Sequence, residues 1–169
     1  VTCDNQPFIA TAKMVLIFCA DCKKWYDAFI CAGCEPHLPA VGDLLLAVSD
    51  ANIAAQNAVV AAQSLGIGSC YIGDVMENCE EQRKLLNLPE YVFPVGMVIF
   101  GYPTDQQMRH PKPERVKMEY IVHENQYRSL SPEELEQMWT PRAGEKGYVA
   151  WMQAFCNRKY NSEFSREMS

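Results

Sequence analysis

The stretch AAQNAVVAAQSLGIGSCYIGDV, residues 54–75, decides how the rest of the chain reads. Its first half completes a longer run, DLLLAVSDANIAAQNAVVAAQSLG (43–66), rich in Ala and Leu and without internal Pro or Gly. Such a run propagates as a helix, and Gly66 stands where a left-handed C-cap is needed. The helix is apolar nearly all round, apart from a thin stripe of Asp50, Gln56, Asn57 and Gln63. It is therefore expected to be buried on most sides, at the centre of a domain or between two subunits. SCYIG (69–73) follows as a short strand or turn.

Two apolar, β-rich runs flank this segment. AKMVLIFCA (12–20) and VFPVGMVIFGY (92–102) read as strands buried on both faces. DCKKWYDAF (21–29) suits a short helix, and ENCEEQRKLLNL (77–88) an amphipathic one stopped by Pro89. SPEELEQMW (131–139) opens with a helix N-cap, Pro at the first position and acids in the first turn. GYVAWMQAF (147–155) is a further apolar helix. CAGCEPHLPAVG (31–42) and PTDQQMRHPKPER (103–115) read as loops, and VKMEYIV (116–122) alternates like an extended arm. The order implies an α+β protein: a small mixed sheet flanked by helices, one of them long and buried. Residues 1–169 are expected to form a single domain, with the core sheet and helices in 1–103. The basic loop, arm and C-terminal helices follow in 104–169.

The chain has 169 residues, 49% apolar and 21% charged, enough for a core without staples. A net charge of −6 speaks against nucleic acid or an anionic membrane as partner. The run Met14–Ala20 is too short to span a bilayer, and no export-signal pattern opens the chain. The eight cysteines are read as reduced thiols in a cytoplasm. A start at Val1 and an end resembling an uncompleted helix turn (NSEFSREMS) suggest a fragment.

Four cysteines form two Cys-x-x-Cys pairs, Cys19/Cys22 and Cys31/Cys34. A structural zinc site needs four such ligands converging on one ion, each pair on a tight turn. CAGC qualifies; Cys19, the sixth residue of the unbroken apolar run Met14–Ala20, does not. A redox pair needs its first Cys at a helix N-terminus, which Cys19 cannot supply. Buried or loop thiols are the expected outcome, with a zinc-binding interaction module on Cys19, Cys22, Cys31 and Cys34 as a rival.

The sequence 54–75, followed by LLNLPEYVFPVGMVIFGYP (85–103), resembles the FMN-dependent nitroreductase family, in its NADPH-preferring nitro- and flavin-reductase branch. CDNQPFIATAKMVLIFCAD (3–21) is similar to that branch's first core strand, and KPERVKMEYIVHENQY (112–127) to its basic loop and the segment after it. The resemblance implies an NAD(P)H oxidoreductase. It implies a homodimer with FMN at the subunit interface and a ping-pong exchange with nitroaromatic, quinone or flavin acceptors. By the same resemblance, Tyr71, Ile72 and Gly73 line one face of the flavin, with Asp74 where some relatives carry a second Gly. Arg115, eight residues before His123, matches the phosphate-binding Arg. Lys112 is one position from the partner Lys, whose place Pro113 takes. Arg158 and Lys159 fall near the mobile loop that takes the NADPH phosphate. No metal is implied, and no side chain need be an essential acid or base. His123 reads as structural, and Trp25, Trp139 and Trp151 as core or subunit contacts. The family's N-terminal Arg/Ser-rich phosphate motif has no counterpart here, so weak FMN binding by this chain alone is expected. A non-catalytic, FMN-free homologue dimerising through the long helix is the other alternative.

Overall fold

The computed structural model describes residues 6–77 and 79–161. They form two compact units, divided between Met108 and Arg109.

The first unit is built on three strands, β1 (Met14–Asp21), β2 (Gly68–Ile72) and β3 (Val92–Gly101). Their order is β1-β3-β2, and both pairings are antiparallel. β3, the longest, lies in the middle, and seven of its ten residues are buried. That is why it reads as a continuous apolar run. Helix α1 (Pro7–Thr11) precedes β1. Helices α2 (Lys23–Cys31) and α3 (Val41–Ser64) connect β1 to β2, and α4 (Cys79–Leu85) lies between β2 and β3.

The register contains one irregularity. Phe18 pairs with Gly96 but Cys19 pairs with Pro94, so Val95 is an extra residue in β3. This bulge shifts the alternation of the strand. Phe93 before it, Val95 at it, and Val98 and Phe100 after it all pack with residues of α3. Met97 and Ile99 face the opposite side, with Ile17, Ile72 and Val75. Pro94, lacking an N–H, is tolerated because β2 covers only Met97–Gly101, leaving one side of β3 without a strand at residue 94.

α3 lies on the sheet by its alanines. Ala51 and Ala55 are buried, and Ala47, Ala58 and Ala62 flank them. Small side chains let the helix axis approach the strands. Its end is a Schellman turn: Ile67 N–H reaches Ala62 O and Gly66 N–H reaches Gln63 O, both at 3.0 Å, with Gly66 at φ +73°. At its start the Asp43 carboxylate accepts the Ala40 N–H at 2.9 Å.

Two burial expectations change. β1 is an edge strand, so Met14, Val15 and Leu16 remain exposed; only its second half lies under α3. α3 is buried on one side only, leaving Leu45, Leu46, Ile53 and Val60 outside. By length and composition alone, α3 is apolar enough to cross a membrane, with a mean hydropathy of 1.4. The apolar run considered in the sequence, Met14–Ala20, missed this.

In the second unit, α6 (Pro132–Ala143) and α7 (Tyr148–Lys159) pack together; α5 (Asp105–Arg109) lies at the unit boundary. Ser131 and Glu134 cap α6 reciprocally: Glu134 N–H reaches Ser131 Oγ at 3.2 Å, and Ser131 N–H reaches the Glu134 carboxylate at 2.8 Å. Trp139 stacks on Trp151 and Trp151 on Phe155. Trp25 belongs to no core; it is 70% exposed. The arm expected over 116–122 is not a strand but holds a 3-10 turn at Met118–Tyr120. Tyr120 donates to Gln137 of α6 across 3.4 Å.

Candidate functional site

The segment 71–74 closes β2 and turns away from the sheet. Side chains alternate across a strand, so Tyr71 and Ile72 point to opposite faces. Ile72 is buried among Val75, Met97 and Ile99. Tyr71 is exposed on the α3 side, where its hydroxyl donates to Gln56 Oε1 at 3.3 Å. Gly73 is exposed, with φ −82° and ψ −21°, and a Cβ built on it would meet nothing within 4 Å. The 3-10 turn Asp74–Met76 follows, closed by Met76 N–H to Gly73 O at 3.0 Å. Val75 drops into the core and anchors the turn. The result is open space beside main chain at the end of a packed strand.

The Asp74 carboxylate is not left to itself. Gln6, at the start of α1, donates its side-chain amide to Asp74 Oδ2. This contact bridges sixty-eight positions and was invisible in the sequence, where neither residue belongs to a local pattern.

In the second unit, Lys112 and Arg115 are exposed on a stretch without regular structure. Neither forms an ion pair among the described residues. Arg115 borders a crevice of about 30 Å³ shared with Gln137, Met138 and Arg142 of α6. Arg158 and Lys159 stand in the last turn of α7, not in a loop, where cations complement the helix dipole. The Arg158 guanidinium lies 5.7 Å from the Phe155 ring centre. His123 packs against Tyr127 at 4.8 Å between ring centres.

The cysteine pairs do not build a metal site. Cys22 is the N-cap of α2 and Cys31 its last residue. A helix of nine residues separates such positions by roughly 13 Å at ~1.5 Å per residue. No three His, Cys, Asp or Glu side chains gather around a metal position among the described residues. Cys19 lies in β1.

Comparison with known proteins gives this scaffold its class. The model of the Nitroreductase family matches residues 3–102, and the chain belongs to that family. It is 38% identical over 126 residues to an oxygen-insensitive NADPH nitroreductase of Salmonella typhimurium, covering 75% of this chain and 50% of the relative. It is 32% identical, over an alignment of 174 positions, to an FMN reductase [NAD(P)H] of Bacillus subtilis, covering 98% of this chain and 63% of the relative. The chain thus spans between half and two thirds of the length of these relatives. Among solved structures, it is similar to NfrA2 of B. megaterium, with a TM-score of 0.78 and 28% identity over 98% of this chain and 69% of that one. It is also similar to an NADPH:FMN oxidoreductase from Vibrio harveyi complexed with NAD+, with a TM-score of 0.75 and 27% identity over 91% and 64% of the two chains.

Proposed function

We propose that this chain carries the sheet and flavin-facing turn of an FMN-dependent NAD(P)H oxidoreductase. Its acceptors are small electron-poor molecules: nitroarenes, quinones or free flavin. The observation that carries this reading is the open space beside Gly73, inside the segment that the family model matches.

The residues fit the group. Ile72 turns its side chain into the core and Gly73 has none, so a flat ring at this turn would meet main chain. Tyr71 stands exposed beside it. Asp74 would set a negative charge near a ring that gains electrons, but the Gln6 amide holds its carboxylate. Lys112 and Arg115, unpaired among the described residues, are the cations assigned to the FMN phosphate. Arg158 and Lys159 are assigned to the phosphate of NADPH. Bound FMN would supply the two-electron chemistry, accepting hydride from NAD(P)H and reducing the acceptor in turn. The chain's own residues bind, orient and set the stacking distance, and none is needed as an acid or base.

The outward face of α3 supports a homodimer. Leu46, Ile53 and Val60 are 71%, 61% and 55% exposed and recur every seven residues, forming one apolar line along the helix. A second copy would cover it. The described cysteines are free thiols, which suits a reducing compartment such as the cytoplasm.

The test is a visible spectrum of the protein expressed from its natural gene, followed by anaerobic addition of NADPH. A yellow protein that bleaches, and regains its colour with a nitroarene or quinone, is expected. A colourless protein that takes up no added FMN sinks the proposal. Sedimentation reads the dimer separately.

A further inference from the structure

We propose that a second cavity, between α2 and the first half of α3, binds a small organic monocation carrying an aromatic or alkyl body. The cavity measures about 490 Å³, within the range of small-molecule sites. None of residues 71–74 lines it, so this proposal stands apart from the flavin reading; Leu46, one of its lining residues, also belongs to the apolar line on α3 that a second copy would cover.

Three rings from one helix, Trp25, Tyr26 and Phe29, form an aromatic wall. Three carboxylates, Asp21, Asp43 and Asp50, also line the cavity, and no Lys or Arg does. Asp21 is offset by Lys24 at 3.1 Å. Asp43 is occupied in part by the Ala40 N–H, with His37 Nδ1 at 3.9 Å. The Asp50 carboxylate has no ion pair or hydrogen bond among the described residues. The cavity therefore keeps net negative charge beside π-faces, the combination that attracts an organic cation. The thiols agree with this field. Burial pushes Cys19 and Cys22 up, Asp21 adds to the shift at Cys19, and Asp43 and Asp21 add to it at Cys22. The carboxylates do not converge as metal ligands, so the geometry favours a diffuse organic charge over a bare ion. Phosphate-bearing nucleotides are repelled for the same electrostatic reason.

Isothermal titration of the full chain at pH 8 and low salt, with benzyltrimethylammonium as probe, tests this. Saturable binding at one site is expected, with benzoate and benzyl alcohol each about tenfold weaker or silent. Asp50→Asn and Trp25→Leu should each weaken the cation about fivefold, whereas Trp139→Leu in the other unit should leave it unchanged. Trp25 is 70% exposed, so its replacement decides the matter if Asp50→Asn fails to fold. No saturable heat, equal binding of the neutral or anionic probe, or an undiminished Trp25→Leu variant overturns the proposal. FMN uptake plays no part in the readout, so its failure is distinguishable from failure here.

Discussion

Gly73 offers a substitution in which stability and cofactor binding should move in opposite directions. Its backbone, at φ −82° and ψ −21°, lies in the right-handed region open to every L-residue. A Cβ there meets no atom within 4 Å, so Gly73→Ala adds neither strain nor a clash. Losing the glycine's unfolded-state freedom should stabilise the chain by about 0.4–1 kcal/mol. For a protein of this size that raises Tm by roughly 1–4 °C. Flavin binding should respond in the other direction. A ring resting on this main chain sits at roughly 3.5–4 Å, and a methyl projecting about 1.5 Å toward it must push it off. We expect FMN affinity to fall about tenfold for Ala, about 1.4 kcal/mol, and further for Gly73→Val. Thermal melts without FMN and fluorescence titrations with FMN read the two effects separately. If Gly73→Val binds FMN as tightly as the parent, no ring lies against this turn. If Gly73→Ala melts earlier, the open space has been misjudged.

Other expectations follow from single residues. Arg115→Ala should weaken FMN severalfold, and the loss should shrink as salt rises, because an exposed cation acts through a screened field; titration at two ionic strengths checks both. Ile53→Asp, in the apolar line on α3, should convert a dimer to monomer in sedimentation without lowering helix content. The Ser131 N–H and Arg128 hold the Glu134 carboxyl below its usual 4.5. A lowered carboxyl stabilises the folded state above pH 4.5, and that contribution is lost as pH falls through the folded value. Hydrogen-exchange protection of α6 should therefore decline below pH 4.5, and less so in Glu134→Gln. Ser131→Ala should cost the helix about 1 kcal/mol at neutral pH, seen in the same measurement. Cys22, raised by burial and by Asp43 and Asp21, should alkylate more slowly at pH 7.5 than exposed Cys34, as peptide mass mapping would show.

The sequence made local order readable where period and capping agreed. The long helix, its Gly66 stop, the β3 run and the Ser131 cap each carry their signal within a few residues. Cys19 was placed in a strand by the apolar run around it, and that alone weakened the metal reading. Long-range facts carried no such signal. The β1-β3-β2 order, the edge position of β1 and the Gln6–Asp74 contact depend on partners far along the chain. Five-residue helices such as α1 and α5 are too short to show a period. VKMEYIV alternates like a strand, yet its Tyr120 is hydrogen-bonded to α6 and the segment tightens into a 3-10 turn. At the candidate site, the glycine and tyrosine were legible through family resemblance. The space beside them is a property of the folded backbone, and the aromatic, acidic cavity assembles from β1, α2, the loop after it and α3, whose apolar residues each look like ordinary core.

The extra residue at Val95 has a consequence for how this chain tolerates change in length. Because of it, odd positions before the bulge and even positions after it present the same face to α3. Removing Val95 would restore a regular ladder and keep Phe93, Val98 and Phe100 on the face toward α3, losing only the buried Val95 side chain. In a strand without a bulge, the same deletion would exchange inner and outer faces beyond the point of loss. At this one place, β3 can lose a residue without turning a face over.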